Sequence, residues 1–305
     1  MKPKEVYLLC LLVILLGSVF CNRVPDTSGE SKYLGQVPPD LEPIVFAAGI
    51  VSSEEYFEFS NTLAPDGKEF YFARRKDGKD VIMITRWVMD AWSMPEADPV
   101  LAKFNGFEPH ISIDGTRMYF TRFAPPPEGL KQDETLSPRD MEAQLVNIWV
   151  MDKTEEGWGD PQYCVNGMYV TTSENGTIYT TDIREASEGI CRYKLVNGKY
   201  SERERLTGGV SSPSPGAHPC IAPDESFIVF DSKRTDDPDN ADLFVCFPND
   251  DNTWGEAISL GDNINTATSE IGAMLSPDGK FLFYQSRGDI YWVSSDIIEN
   301  LRTGR

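Results

Sequence analysis

Histidine is nearly absent: the 305 residues hold two, His110 and His218. That excludes a His-rich metal centre and leaves no Ser-His-Asp assembly to build. There is no Gly-x-Ser-x-Gly elbow and no phosphate-cradling glycine loop, so those two chemistries are excluded as well. Cations are also scarce, with 28 Lys and Arg against 48 Asp and Glu and a net charge of −20. A chain so acidic lacks the clustered bases that nucleic acid or an anionic membrane surface requires. Cys164, Cys191, Cys220 and Cys246 lie scattered, without metal-ligand spacing. They read as buried free thiols, although an oxidising compartment would permit one bridge. No cofactor is implied.

Long apolar runs are missing after residue 20. The one run present, residues 6–19, follows Lys2 and Lys4 and is shorter than the ~20 residues of a bilayer span. It reads as a signal peptide over 1–21, followed by a tether over 22–40 and one domain over 41–305. Ser18-Val19-Phe20-Cys21 permits two outcomes. Cys21 is the lipidated first residue of a lipoprotein, although Phe20 is bulky for that box, or ordinary cleavage starts the mature chain at Asn22. Either way the expectation is an exported protein, periplasmic or anchored at the outer membrane or cell surface. A lipid at Cys21 would be its only membrane contact.

What the sequence does have is a repeat. One phrase occurs at Pro65-Asp66-Gly67, Ile113-Asp114-Gly115, Glu174-Asn175-Gly176, Pro223-Asp224-Glu225 and Pro277-Asp278-Gly279, with 48, 61, 49 and 54 residues between successive Asp or Asn positions. Pro presets φ and Gly accepts a positive φ, which makes each phrase a tight turn. An aromatic, β-branched strand leaves every turn, for example Phe70-Tyr71-Phe72 and Leu282-Phe283-Tyr284. A third strand follows, and a ring residue (Trp92, Trp158, Tyr200, Trp254) opens a fourth. Four antiparallel strands per fifty residues predict an all-β propeller of five blades. The last unit lacks a fourth strand, and residues 43–51 supply one, so the N-terminal strand is expected to close the ring and remove its exposed edges.

The phrase Ser276-Pro277-Asp278-Gly279-Lys280, its aromatic strand and Asp289-Ile290-Tyr291 resemble the WD-like repeat of TolB-like β-propellers. Ala222 to Val245 match nearly as well. Tyr33-Leu34-Gly35-Gln36 with Phe46 to Ser52 looks like the opening of exported bacterial members. The resemblance spans roughly residues 33–295 and implies fold far more than activity. Many members have six blades, whereas the count here is five. The longest spacing holds an insertion over 125–144 rather than a sixth blade.

Aligning the copies places Glu58, Glu108, His218 and Glu270 near the starts of inner strands. Arg74, Arg75, Arg122, Asp182, Lys233, Arg234 and Arg287 fall at the ends of second strands. One rim therefore gathers Glu58, Arg74, Glu108, Arg122, His218, Arg234, Glu270 and Arg287, a polar cup for a sugar or an anionic peptide group. The same set also reads as ion pairs that satisfy strand ends, and the resemblance makes the His218-Pro219 pair a packing feature. The acidic stretch 231–242 reads as a solvated loop, since Lys233 and Arg234 interrupt any calcium pattern. Two functions follow. One is a non-catalytic binding or scaffold propeller of the bacterial envelope, engaging protein or glycan through this rim and the insertion. The other is a carbohydrate-active enzyme of the five-bladed glycoside hydrolase type, with Glu58, Glu108, Asp182 and Glu270 supplying paired carboxyls. The sequence favours the first.

Overall fold

The computed structural model describes residues 33–304 apart from 131–134, 186, 213 and 252. Residues 1–21, read as a signal peptide, and with them Cys21, lie outside the described residues. The described residues form five antiparallel blades arranged as a β-propeller, with a small separate hairpin of Leu195–Val196 and Lys199–Tyr200. Blade 1 begins with Phe57–Leu63, Glu69–Lys76 and Lys79–Val88. Blade 2 begins with Gly106–Ile111, Arg117–Phe123 and Val146–Thr154, and blade 3 with Met168–Thr172, Ile178–Asp182 and Gly189–Tyr193. Blade 4 begins with Gly216–Ile221, Ile228–Lys233 and Ala241–Cys246, and blade 5 with Glu270–Leu275, Phe281–Ser286 and Asp289–Ser294. Short outer strands complete blades 1 to 4, and inner strands of successive blades pack side by side around a central channel.

The repeated phrase works through one hydrogen bond made five times. The Asp66, Asp114, Asn175, Asp224 or Asp278 side chain accepts the backbone N–H two residues on, at 2.9–3.3 Å. The next residue takes a positive φ, a conformation glycine adopts without strain, and Glu225 (φ 60°) is the one non-glycine there. Aromatic second strands then bury against the neighbouring blade. Five apolar clusters result, one at each blade interface.

Closure occurs where the sequence places it, but with less strand. Ile44–Val45 alone pairs with blade 5, Ile44 opposite Trp292 and Val45 opposite Tyr291. Beyond them the chain turns, because Gln36 captures it: its amide donates to the Val45 carbonyl and accepts from the Ala47 N–H. Packing does the remaining work. Phe46 is fully buried, with ring centroids of Phe70, Phe283 and Trp292 at 4.8, 5.1 and 5.2 Å. At the end of the segment read as a tether, Gln36 is bonded to the closing strand while Val37 stays exposed. Tyr33 and Leu34 join the same core cluster, and Tyr33 donates to Asp278 at 2.9 Å.

The insertion leaves blade 2 between its second and third strands and forms a wall against blade 3. Its short helix Pro138–Ala143 is capped by Ser137. Arg139 pairs with Glu188 at 2.8 Å, Asp140 accepts the Glu185 N–H, and Asn166 donates to the Ala143 carbonyl. Cys164, Cys191, Cys220 and Cys246, the cysteines among the described residues, are free thiols.

Candidate functional site

Each inner strand carries a bulge at one place. The register slips at Ser60, Glu108, Tyr169, His218 and Gly272, and each of these residues has a φ between 41° and 64°. All five lie six positions before the turn Asp or Asn. A positive φ costs about 1–2 kcal/mol for a residue with a side chain, and the freed amides are recovered across blades. Tyr169 N–H donates to Glu108 Oε2 (2.9 Å) and Thr121 Oγ1 (3.0 Å). His218 N–H donates to Thr181 Oγ1 and Gly272 N–H to Asp231 Oδ1.

The bulges aim side chains into the channel, where they fill it. Tyr169 reaches from blade 3 to blade 5, its hydroxyl donating to the Ala273 carbonyl at 2.6 Å. His218 lies edge-on to that ring at 5.1 Å and bonds Asp231 through Nδ1 at 2.9 Å. Burial opposes a charge on His218, yet the Asp231 carboxylate, with help from Glu108, raises its pKa to about 9. Burial raises the pKa of Glu108, against the pull of His218 and Thr121.

Glu58 and Glu270 belong to a different position, eight residues before their turn residues. Blades 2, 3 and 4 have Gly106, Gly167 and Gly216 there. A Cβ at these glycines would approach Phe120, Thr180 and Phe230 to 2.5, 2.5 and 2.6 Å. The four residues grouped by sequence alignment therefore divide, Glu108 and His218 plugging the channel and Glu58 and Glu270 lying under its rim. Glu58 is fully buried, bonded to Arg74 Nε at 2.7 Å and to the Ser53 backbone and hydroxyl. Burial raises its pKa, with Ser53 and Arg74 opposing. Glu270, also fully buried, accepts from Thr266, Thr268 and Ser286, with Arg234 at 3.8 Å. Arg234 is itself held by Asp242 and by the Thr266 and Thr268 carbonyls.

Arg122 lies over the Phe104 and Trp149 rings, 5.4 and 4.9 Å from their centroids, and Arg287 is exposed in the turn after its strand. Arg75 pairs with Asp80. Asp182, 2% exposed, accepts a two-pronged contact from Arg184 (2.9 and 2.7 Å), the Ser187 hydroxyl, and Arg203 at 2.9 Å. Beside it opens a cleft of about 650 Å³ between the insertion and blade 3, within the 300–1,000 Å³ range of ligand sites. Among the described residues no His, Cys, Asp and Glu group has the arrangement of a metal site. Sequence reasoning missed Tyr169, Asp231, Arg184 and Arg203. The constant offset of six before the turn would have found Tyr169. Nothing in the repeat points to Arg203, which lies in an irregular outer segment.

No protein-family model and no curated protein matches the chain. Among solved structures similar to it is TolB from Acinetobacter baumannii, with a TM-score of 0.49 and 18% identity over 81% of this chain and 56% of that one. This chain thus spans little more than half of that protein's length. A gluconolactonase from Xanthomonas campestris has a TM-score of 0.45 and 14% identity, covering 84% and 96% of the two chains. A thermostable family-43 glycoside hydrolase has a TM-score of 0.47 and 10% identity, covering 79% and 90%.

Proposed function

We propose that this chain is a non-catalytic binding propeller of the bacterial cell envelope, engaging protein or glycan at the rim that bears the insertion. One observation carries the reading. Each carboxyl proposed from the sequence as a catalytic group, Glu58, Glu108, Asp182 and Glu270, is buried and engaged by donors of its own surroundings, and Tyr169 crosses the channel to blade 5. Glycoside hydrolysis needs two carboxyls roughly 5–10 Å apart across an open cavity. Glu58 and Glu270 are fully buried, and Glu108 is 7% exposed. The open surface is the cleft beside the insertion, a long excursion on a propeller scaffold, where binding function commonly sits.

Export and tethering belong to the same proposal and rest on residues 1–21. No helix among the described residues is long and apolar enough to cross a membrane. The test is a glycan array and an envelope-peptide library screened with the exported chain, each hit then incubated and its products separated. Binding without new products supports the reading. Cleavage that survives purification and disappears in Glu108→Gln or Glu270→Gln overturns it in favour of the carbohydrate-active enzyme.

A further inference from the structure

We infer that the cleft between the insertion and blade 3 binds a glycan carrying one carboxylated sugar, whose carboxylate is taken by Arg184 and Arg203. This rests on the binding reading above and names its ligand class. Asp182 is the anchor. Its Oδ2 receives Arg184 Nη2 at 2.7 Å, the Ser187 hydroxyl at 2.6 Å and Arg203 Nη1 at 2.9 Å, so one buried carboxylate holds two guanidinium groups. The group carries one net positive charge. Arg184 and Arg203 remain 31% and 27% exposed and line the cleft. Their remaining N–H groups have no partner among the described residues, and a guanidinium fork already fixed in place matches a carboxylate with little ordering cost.

The rest of the cleft suits a sugar. Tyr163 lines it half-buried, packed edge-on against Trp149 at 6.0 Å, and offers a flat ring face. The floor is an amide pair. Asn147 Nδ2 donates to the Ala124 and Gln144 carbonyls, and Asn166 Nδ2 donates to Asn147 Oδ1 and the Ala143 and Val146 carbonyls. These bonds fasten the end of the helix Pro138–Ala143 and the start of the third strand to the cleft. Glu128, Asp140 and Glu202 line the cleft as well. With a net charge of −20 on the protein they oppose a second anionic group, so a polyanionic chain is disfavoured and a single acid on a neutral glycan is accepted.

The test is calorimetric titration of the exported chain at 150 mM salt. The probes are xylotriose carrying one glucuronate, plain xylotriose, trigalacturonate, and a capped tetrapeptide with one Glu. The singly acidic sugar should bind at least tenfold tighter than the other three, the loss expected when a charge-assisted contact worth about 1.5–3 kcal/mol is missing. Arg184→Met and Arg203→Met should each remove that tenfold preference. Should either variant melt early, Tyr163→Ala replaces it as the readout, weakening both xylose sugars alike. Equal binding of acidic and plain sugar, or a preference unmoved by the Arg changes, overturns the inference and leaves the binding reading standing with its ligand elsewhere. Tight binding of the peptide with the same Arg dependence overturns the sugar class alone. If none of the four binds, the inference falls, and the glycan and peptide screens then decide the binding reading separately.

Discussion

The two mouths of the channel are built from opposite ends of the same strands, and they differ in what repeats. At the turn end the same bond recurs five times, from an Asp or Asn side chain to the N–H two residues on. At the rim end the backbone bulge recurs five times, but its side chain is Ser60, Glu108, Tyr169, His218 or Gly272 in turn. Each turn closes through this bond within its own blade, and among the described residues only the third and fourth also bond each other, through Glu174 N–H to the Pro223 carbonyl and Asn175 to Glu225. The bulge amides of Tyr169, His218 and Gly272 are satisfied by the preceding blade, and the Tyr169 hydroxyl reaches on to blade 5. Identical local bonds make a ring of interchangeable parts. Unlike cross-channel contacts fix which blade stands beside which, and they should cost more to break.

The largest effect is expected at the plug. Tyr169→Ala removes a fully buried ring and should cost about 3–5 kcal/mol, as large-to-small core changes involving aromatic rings do. Tyr169→Phe keeps the ring but leaves the buried Ala273 carbonyl without its donor, for about 1–3 kcal/mol. Denaturant midpoints check both. If Tyr169→Ala costs no more than a turn substitution, the two mouths contribute alike and the distinction fails.

Next comes pH. The folded His218 pKa of about 9 lies above the ordinary histidine value. Its contribution is therefore complete below about pH 6.5 and is lost as pH rises through 9, on the order of 3 kcal/mol over that window. Asp231→Asn removes the carboxylate responsible. The gap in Tm between wild type and this variant should be widest near pH 6 and shrink by pH 9.5. A gap that does not change with pH would mean His218 is neutral throughout.

These particular residues also show what could be read from the chain alone. The turns, the five aromatic second strands and the place of the insertion are local, and residue type dictates them. Pro, Asp and Gly announce a turn wherever they stand. The bulges are not local. Nothing about Glu108 or Tyr169 as residue types favours a positive φ, and at Tyr169 and His218 the neighbouring blade rewards it by receiving the amide. Glu58 and Glu270 were legible as residues at strand starts. Their partners Ser53, Thr266 and Thr268 come from connecting segments outside the repeat, so saturation was invisible. The closing strand shrank to two residues for a comparable reason, since past Val45 the chain keeps one backbone bond, Phe46 N–H to the Ile290 carbonyl, and is otherwise held there by the Gln36 side chain and the packing of Phe46.

Smaller effects belong to the turn end. Asp114→Ala should cost about 1 kcal/mol, the usual worth of one side-chain cap of this type, since Asp114 serves the Thr116 N–H and hydroxyl on an exposed turn. Hydrogen bonds from Ser112 and Thr116 lower its pKa, against a weaker opposing effect of burial. This contribution is accordingly present at neutral pH and fades as pH falls through the lowered value. A urea midpoint at pH 7 and at pH 3 separates it from His218, whose effect appears at the alkaline end.

The smallest expected change is a gain. Glu225 alone among the five turn residues adopts a positive φ with a side chain, at 60°. Glycine there would relieve about 1–2 kcal/mol of left-handed strain but would return about 0.5–1 kcal/mol as greater freedom of the unfolded chain. It would also give up the exposed bond from Asn175 Nδ2 to Glu225 at 3.1 Å. The balance for Glu225→Gly is a stabilisation of a few tenths of a kcal/mol, and pairing it with Asn175→Ala isolates the lost bond. If the turn end is made of interchangeable parts, this copy should accept the residue of the other four at no cost. A destabilisation above ~1 kcal/mol would show that the bond to the neighbouring blade outweighs the strain, and that the turns too hold blades together.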